Sequence, residues 1–170
     1  MPTSRSARAP ACGTSASDAV SCACRACADL LVGMAKQASG DPSAVEPLRS
    51  AARRYAELGV PPDRLESLSV LAAALAGQGD LANAMDVVAE ILPQLDASVA
   101  PGVVQPGRVL ADVHAVLLAA GDPRAADLAR RAASYLLERS ARIQDGELRA
   151  RFLTTPVNTD LAEIAASISG

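Results

Sequence analysis

GDPSAVEPL (40–48), GDLANAMDV (79–87) and GDPRAADLA (121–129) are three versions of one signal. Each closes one helical pattern and opens another. Glycine enters the left-handed conformation that ends a helix, and the aspartate after it can cap the next helix through its side-chain oxygen. Pro42 and Pro123 fall where an early-helix proline is tolerated. The glycines are 39 and 42 residues apart. An apolar residue follows each by five places, at Val45, Ala84 and Ala126. Seven places before stand Gly33, Ala72 and His114; eight before stand Val32, Leu71 and Val113. A fixed period with matched large and small positions marks a repeat array.

Working outward from the corners, helical periodicity predicts helices at 17–38, 43–58, 62–77, 81–95, 106–120, 123–142, 145–153 and 159–168. Gly59, Pro61 and Pro62 break the chain between the first two hairpins, and 96–105 is the longest irregular stretch inside the array. Residues 1–15 are polar and carry two prolines, so they read as a disordered lead-in; 16–170 read as one repeat domain. In the first helix Val20, Cys24, Cys27, Leu31 and Met34 share a face by spacing. The expected fold is all-α: an α-solenoid of about seven or eight helices in stacked hairpins.

Composition supports this. Half of the 170 residues are apolar, yet the aromatics are one Phe, two Tyr and no Trp. Alanine and leucine carry the apolar mass, and both are strong helix formers. Lys36 is the only lysine, a bias toward arginine that suggests a GC-rich bacterial genome. The net charge of −3 is made of interleaved signs, which disfavours a nucleic-acid partner. No apolar run reaches the roughly 18 residues of a membrane span, and no secretory signal is visible, so a cytoplasmic home is expected.

Residues 62–95 resemble the tetratricopeptide pattern of helix, glycine corner and alanine-rich helix. Leu71, Ala72, Leu75, Gly79, Ala84, Val88 and Ile91 hold its packing positions; aliphatics stand at its usual aromatic ones, and Pro93 comes early. A second resemblance covers about 106–165. The stretch Ile143-Gln144-Asp145 through Arg149-Ala150-Arg151-Phe152-Leu153, then Pro156 and Asn158, is similar to the end of the helical-repeat region in large actinobacterial ATPase-containing transcriptional regulators of the LuxR type. That resemblance implies a sensor or scaffold segment, detached from or truncated out of such a regulator. The ATPase signature is missing: Lys36 follows no glycine-rich loop and precedes Gln37, so the family's activities are not carried over.

Candidate chemistry is sparse. Cys22, Cys24 and Cys27, with Cys12 upstream, could present four thiolates to zinc. Helical spacing sends Cys22 away from the Cys24/Cys27 face, however, so packing is the favoured role, and a cytoplasmic home argues against a stable disulfide. No metal and no cofactor is expected. His114, the only histidine, sits at a packing position and reads as a core residue. No nucleophile has a visible base and acid set, so an enzyme is not expected.

The expected function is a protein-interaction scaffold with a concave groove lined by the first helix of each hairpin. Its candidate contacts are Arg25, Lys36, Arg64, Ser67, Arg108 and Asp112. The partner would be a protein or peptide in the groove; a small-molecule sensor is the alternative. The first helix is apolar over much of its circumference, through Leu30 and Val32 as well, which points to self-association. The last helix places Leu161, Ile164, Ala165 and Ile168 on one face and should pack back on 123–142.

Overall fold

The computed structural model describes residues 15–95 and 102–167. Cys12, Ile168 and most of the expected lead-in and long linker lie outside the described residues. Within them the chain forms eight α-helices and no strand: α1 (Ala16–Ala38), α2 (Val45–Leu58), α3 (Pro61–Gly77), α4 (Leu81–Leu95), α5 (Pro106–Ala119), α6 (Arg124–Ala141), α7 (Gly146–Leu153) and α8 (Pro156–Ala166). A short 3-10 turn, Pro42–Ala44, leads into α2.

The glycine corners are built alike. Gly40, Gly79 and Gly121 have φ of 71°, 81° and 63°, and no other residue type among those described takes a positive φ. At each corner the glycine N–H bonds three residues back, to Gln37, Ala76 or Leu118, and the aspartate N–H bonds five back, to Lys36, Leu75 or Leu117. This is the paired closure that satisfies a helix's last free carbonyls. Each aspartate side chain then accepts a backbone N–H from the next helix's start: Asp41 from Ser43, Asp80 from Asn83 and Asp122 from Arg124.

Burial corrects one of the three positions that follow the corners by five places: Val45 and Ala84 are buried, but Ala126 is exposed and Ala125 is buried in its stead. The matched positions are Ala44, Leu48, Ala51 and Tyr55; Ala84, Val88, Ile91 and Leu95; and Ala125, Ala129, Ala132 and Leu136, all buried. The proline corners reach the core one residue sooner than the leucine corner. Pro42 opens a tight 3-10 turn, and Pro123 is itself helical at φ −61°.

Helix contacts fall into two rows. α1 packs on α3, α3 on α5, and α5 on α8, which makes an inner row. α2 touches both α1 and α3, α4 both α3 and α5, and α6 both α5 and α8, while the helices of this outer row do not contact one another. The arrangement suits an array of stacked hairpins. Side chains from Ala26 to Leu161 form one continuous core, in which Leu48, Leu65, Ile91, Leu110, Leu117 and Leu161 are fully buried. α8 packs on α6 as expected. It starts at Pro156, three residues before the expected boundary, because proline's fixed φ suits a first helical turn.

α1 differs most from expectation. Its buried face is Cys22, Ala26, Leu30 and Gly33. Val20 and Leu31 are 65% and 59% exposed, and Cys24 and Cys27 are exposed with them. A Cβ at Gly33 would lie 2.5 Å from the Leu48 side chain, so α1 and α2 approach through their smallest residues. Ser15 belongs to the fold: its Oγ caps α1 by accepting the Asp18 N–H at 3.1 Å. Cys22 is disulfide-bonded, which departs from the reduced thiol expected of it. With Cys22 so engaged, Cys24 and Cys27 are the two free thiols of the described chain. No described helix is long and apolar enough to cross a membrane.

Candidate functional site

α3 is the centre of the fold. Leu65, Leu68, Val70, Leu71, Ala72, Ala74 and Leu75 are buried around nearly its whole circumference, and so are Ser67 and Ser69. Their hydroxyls must therefore find partners inside. Ser67 donates to the Asp63 carbonyl at 2.8 Å, a bond within its own helix. Ser69 reaches the Glu66 carbonyl at 3.0 Å and the Asp112 carboxylate of α5 at 3.3 Å.

That second contact opens a polar cluster on the inner row. The Nε of Arg108 lies 3.6 Å from Asp112 Oδ2, one helical turn along α5. Its Nη2 donates to Gln37 Oε1 at the end of α1, at 3.3 Å. Glu66 of α3 accepts the Gln105 backbone N–H at 2.7 Å and so caps the start of α5. Met34, Val70 and Val109 supply apolar walls between these groups. The resulting cleft, lined by α1, α3 and α5, has room for about 10 Å³, no more than about one water molecule. It is a shallow docking surface.

Its electrostatics are unbalanced. Burial pushes the Asp112 carboxyl up to about 6, against the pull of Arg108 and the Ser69 hydroxyl; Asp160 of α8 adds to the rise. Arg108 Nε is buried with no hydrogen bond of its own. Asp112 is paired with Arg108 beneath the cleft, and Glu66 is the carboxylate that lines it.

Of the six contacts expected from sequence, Arg108 and Asp112 come together here. Asp112 is mostly buried, not exposed as expected. Ser67 is fully buried and can touch no partner, because it lies on the inward side of the central helix. Arg64 pairs with Glu90 across α3 and α4 at 2.6 Å, so it faces the outer row. Lys36 donates to Ser43 Oγ at 2.7 Å and braces the first corner. Arg25 is exposed on α1, away from the cleft. Sequence reasoning missed Gln37, Glu66, Ser69 and Gln105. A signal existed for Ser69: a helix apolar on all sides is a central one, and its polar residues are inside. His114 is a core residue whose pKa is lowered by burial.

Comparison with family models, with curated proteins and with solved structures found no match.

Proposed function

We propose that this chain is a non-catalytic scaffold of tetratricopeptide-like hairpins that takes a basic peptide segment across the face of α1, α3 and α5. The observation that carries the reading is the cleft itself. Glu66 of α3 and Arg108 of α5 line it together over apolar walls, in a depression too shallow to enclose a small molecule. A lysine or arginine from a partner would pair with Glu66, the carboxylate that lines the cleft. The peptide reading is favoured over small-molecule sensing for the same geometric reason.

The proposal keeps the wider expectation that the chain is a detached or truncated sensor segment of a bacterial transcriptional regulator, supported by the likeness of 106–165 to such repeats. The Cys22 disulfide bears against the cytoplasmic home expected from the sequence, since such bonds are rare where glutathione keeps thiols reduced.

Panning a random peptide display library on the purified chain tests the function. The expected result is enrichment of peptides with lysine or arginine beside apolar residues, and at least tenfold weaker binding of them by Glu66→Gln, which keeps the acceptor for Gln105 but removes the charge. Enrichment of acidic peptides, or binding indifferent to Glu66→Gln, would refute the reading.

A further inference from the structure

Two charged side chains line the cleft, Glu66 of α3 and Arg108 of α5, and they stand on different footings. Glu66 is half-buried and accepts the Gln105 backbone N–H. Arg108 is held from two sides. Its Nη2 donates to Gln37 Oε1, and its Nε lies 3.6 Å from Asp112 Oδ2, beyond hydrogen-bond reach. The Asp112 side chain is 15% exposed, and its carboxylate accepts from Ser69 Oγ at 3.3 Å. One guanidinium therefore belongs both to the cleft and to the ion pair beneath it.

That sharing couples the charge of a buried group to the charge of a surface. Guanidinium groups do not deprotonate in proteins, so the pair changes its charge only at Asp112. While Asp112 is ionised, the pair is neutral and Glu66 sets the sign of the cleft. Once Asp112 is protonated, the guanidinium stays in place on Gln37 and stands uncompensated beside Glu66.

The titration of Asp112 has few contributors among the described residues. They are Arg108 on α5 itself, Ser69 from α3 and Asp160 from α8; α4 and α6, which also pack on α5, supply none. Burial outweighs them all, because a single long ion pair repays little of the lost hydration, and it pushes the carboxyl up to about 6. The proton is therefore bound below that range and released above it.

We propose that Asp112 sets the charge of the cleft through Arg108, so that a basic partner is held while Asp112 is ionised and let go when Asp112 takes up a proton. The inference rests on the basic-peptide reading of the cleft and adds its regulation: acidification empties it.

Calorimetric titration of the full chain between pH 5 and pH 8 tests this. The probe is a lysine-containing peptide from the display panning, chosen without histidine or acidic residues so that it does not itself titrate in the range. Affinity for the parent should fall by about fivefold from pH 8 to pH 5, with its midpoint near 6. Asp112→Asn should bind at the parent's acid level at every pH, with unchanged helical circular dichroism. Asp160→Asn removes a contribution that raises the carboxyl, so it should move the midpoint lower. In the parent without peptide, the NMR signal of the Arg108 Nε–H should follow pH with the same midpoint, and in Asp112→Asn it should not. Peptide affinity that is flat with pH overturns the proposal while leaving the basic-peptide reading standing. A pH dependence that survives in Asp112→Asn overturns it too and assigns the effect to another group, of which His114, with its pKa lowered by burial, is the first to examine. Absence of binding at every pH refutes the basic-peptide reading and this inference together.

Discussion

At the residue scale, two glycines two positions apart make opposite predictions. Gly79 holds φ of +81° at the second corner. A β-branched side chain is strained there, so Gly79→Val should cost about 1–3 kcal/mol in thermal or denaturant unfolding. Gly77 lies inside α3 without a positive φ, and a Cβ built on it meets nothing within 4 Å. Gly77→Ala should therefore stabilise by about 0.4–1 kcal/mol, chiefly by restricting the unfolded chain. Equal melting curves for the two variants would mean that the corner is misplaced. Asp112 supplies a pH test. Its carboxyl is raised to about 6 in the fold, mainly by burial. The folded state therefore holds this proton more tightly than the unfolded chain does. That contribution is complete below the ordinary aspartate range and is lost as the pH climbs through about 6. Asp112→Asn cannot lose it. The stability of the variant relative to the parent should rise by about 2–3 kcal/mol between pH 4 and pH 8, measured by denaturant titration. A difference that is flat with pH would contradict the buried, under-compensated carboxylate.

At the element scale, the helices differ in how firmly they are held. α3 is enclosed by α1, α2, α4 and α5, whereas α7 touches α6 and α8 alone and buries no residue. Native-state hydrogen exchange should find α7 opening first and α3 last, near the global unfolding free energy. Leu161 of α8 is fully buried and lies against Gly107 of α5. Leu161→Ala should cost about 2–5 kcal/mol, while Leu148→Ala on α7, where the side chain is 57% exposed, should stay within about 0.5 kcal/mol of the parent. If α8 were loosely docked, the two substitutions would cost alike. The helix boundaries were legible because glycine, proline and aspartate act locally: left-handed glycines and aspartate caps stand where the three GD pairs predict them. The buried face of α1 was not legible. Ranking positions by size selects Val20, Cys24, Cys27 and Leu31, yet the helix packs through Ala26 and Gly33, where lack of bulk permits close approach. In an alanine-rich fold the small residues mark the contact and the larger ones can be left outside. For the same reason Leu30, read from the sequence as part of an apolar surface open to self-association, belongs to the core, while Leu31 next to it is exposed.

At the scale of the whole molecule, the two rows divide the work. The outer helices α2, α4 and α6 each wedge between two inner ones, and the inner row α1, α3, α5 and α8 carries the polar cluster. The site was partly legible: Arg108 and Asp112 were visible as charges on an inner helix, but their partners on α1 and α3 are 71 and 43 residues away in sequence, so only the stacking of hairpins brings them together. Gln37 and Ser69 carry no local mark of that encounter. The central claim is that this inner row, and not the outer one, is the binding surface. Amide and methyl chemical-shift mapping by NMR, with a lysine-containing peptide selected from the display library, tests it most directly. The account predicts that shifts concentrate at Met34, Ser69, Val70 and Val109, around Arg108 and Asp112, with α4 and α6 silent. Shifts confined to α4 and α6, with the inner row unmoved, would contradict it.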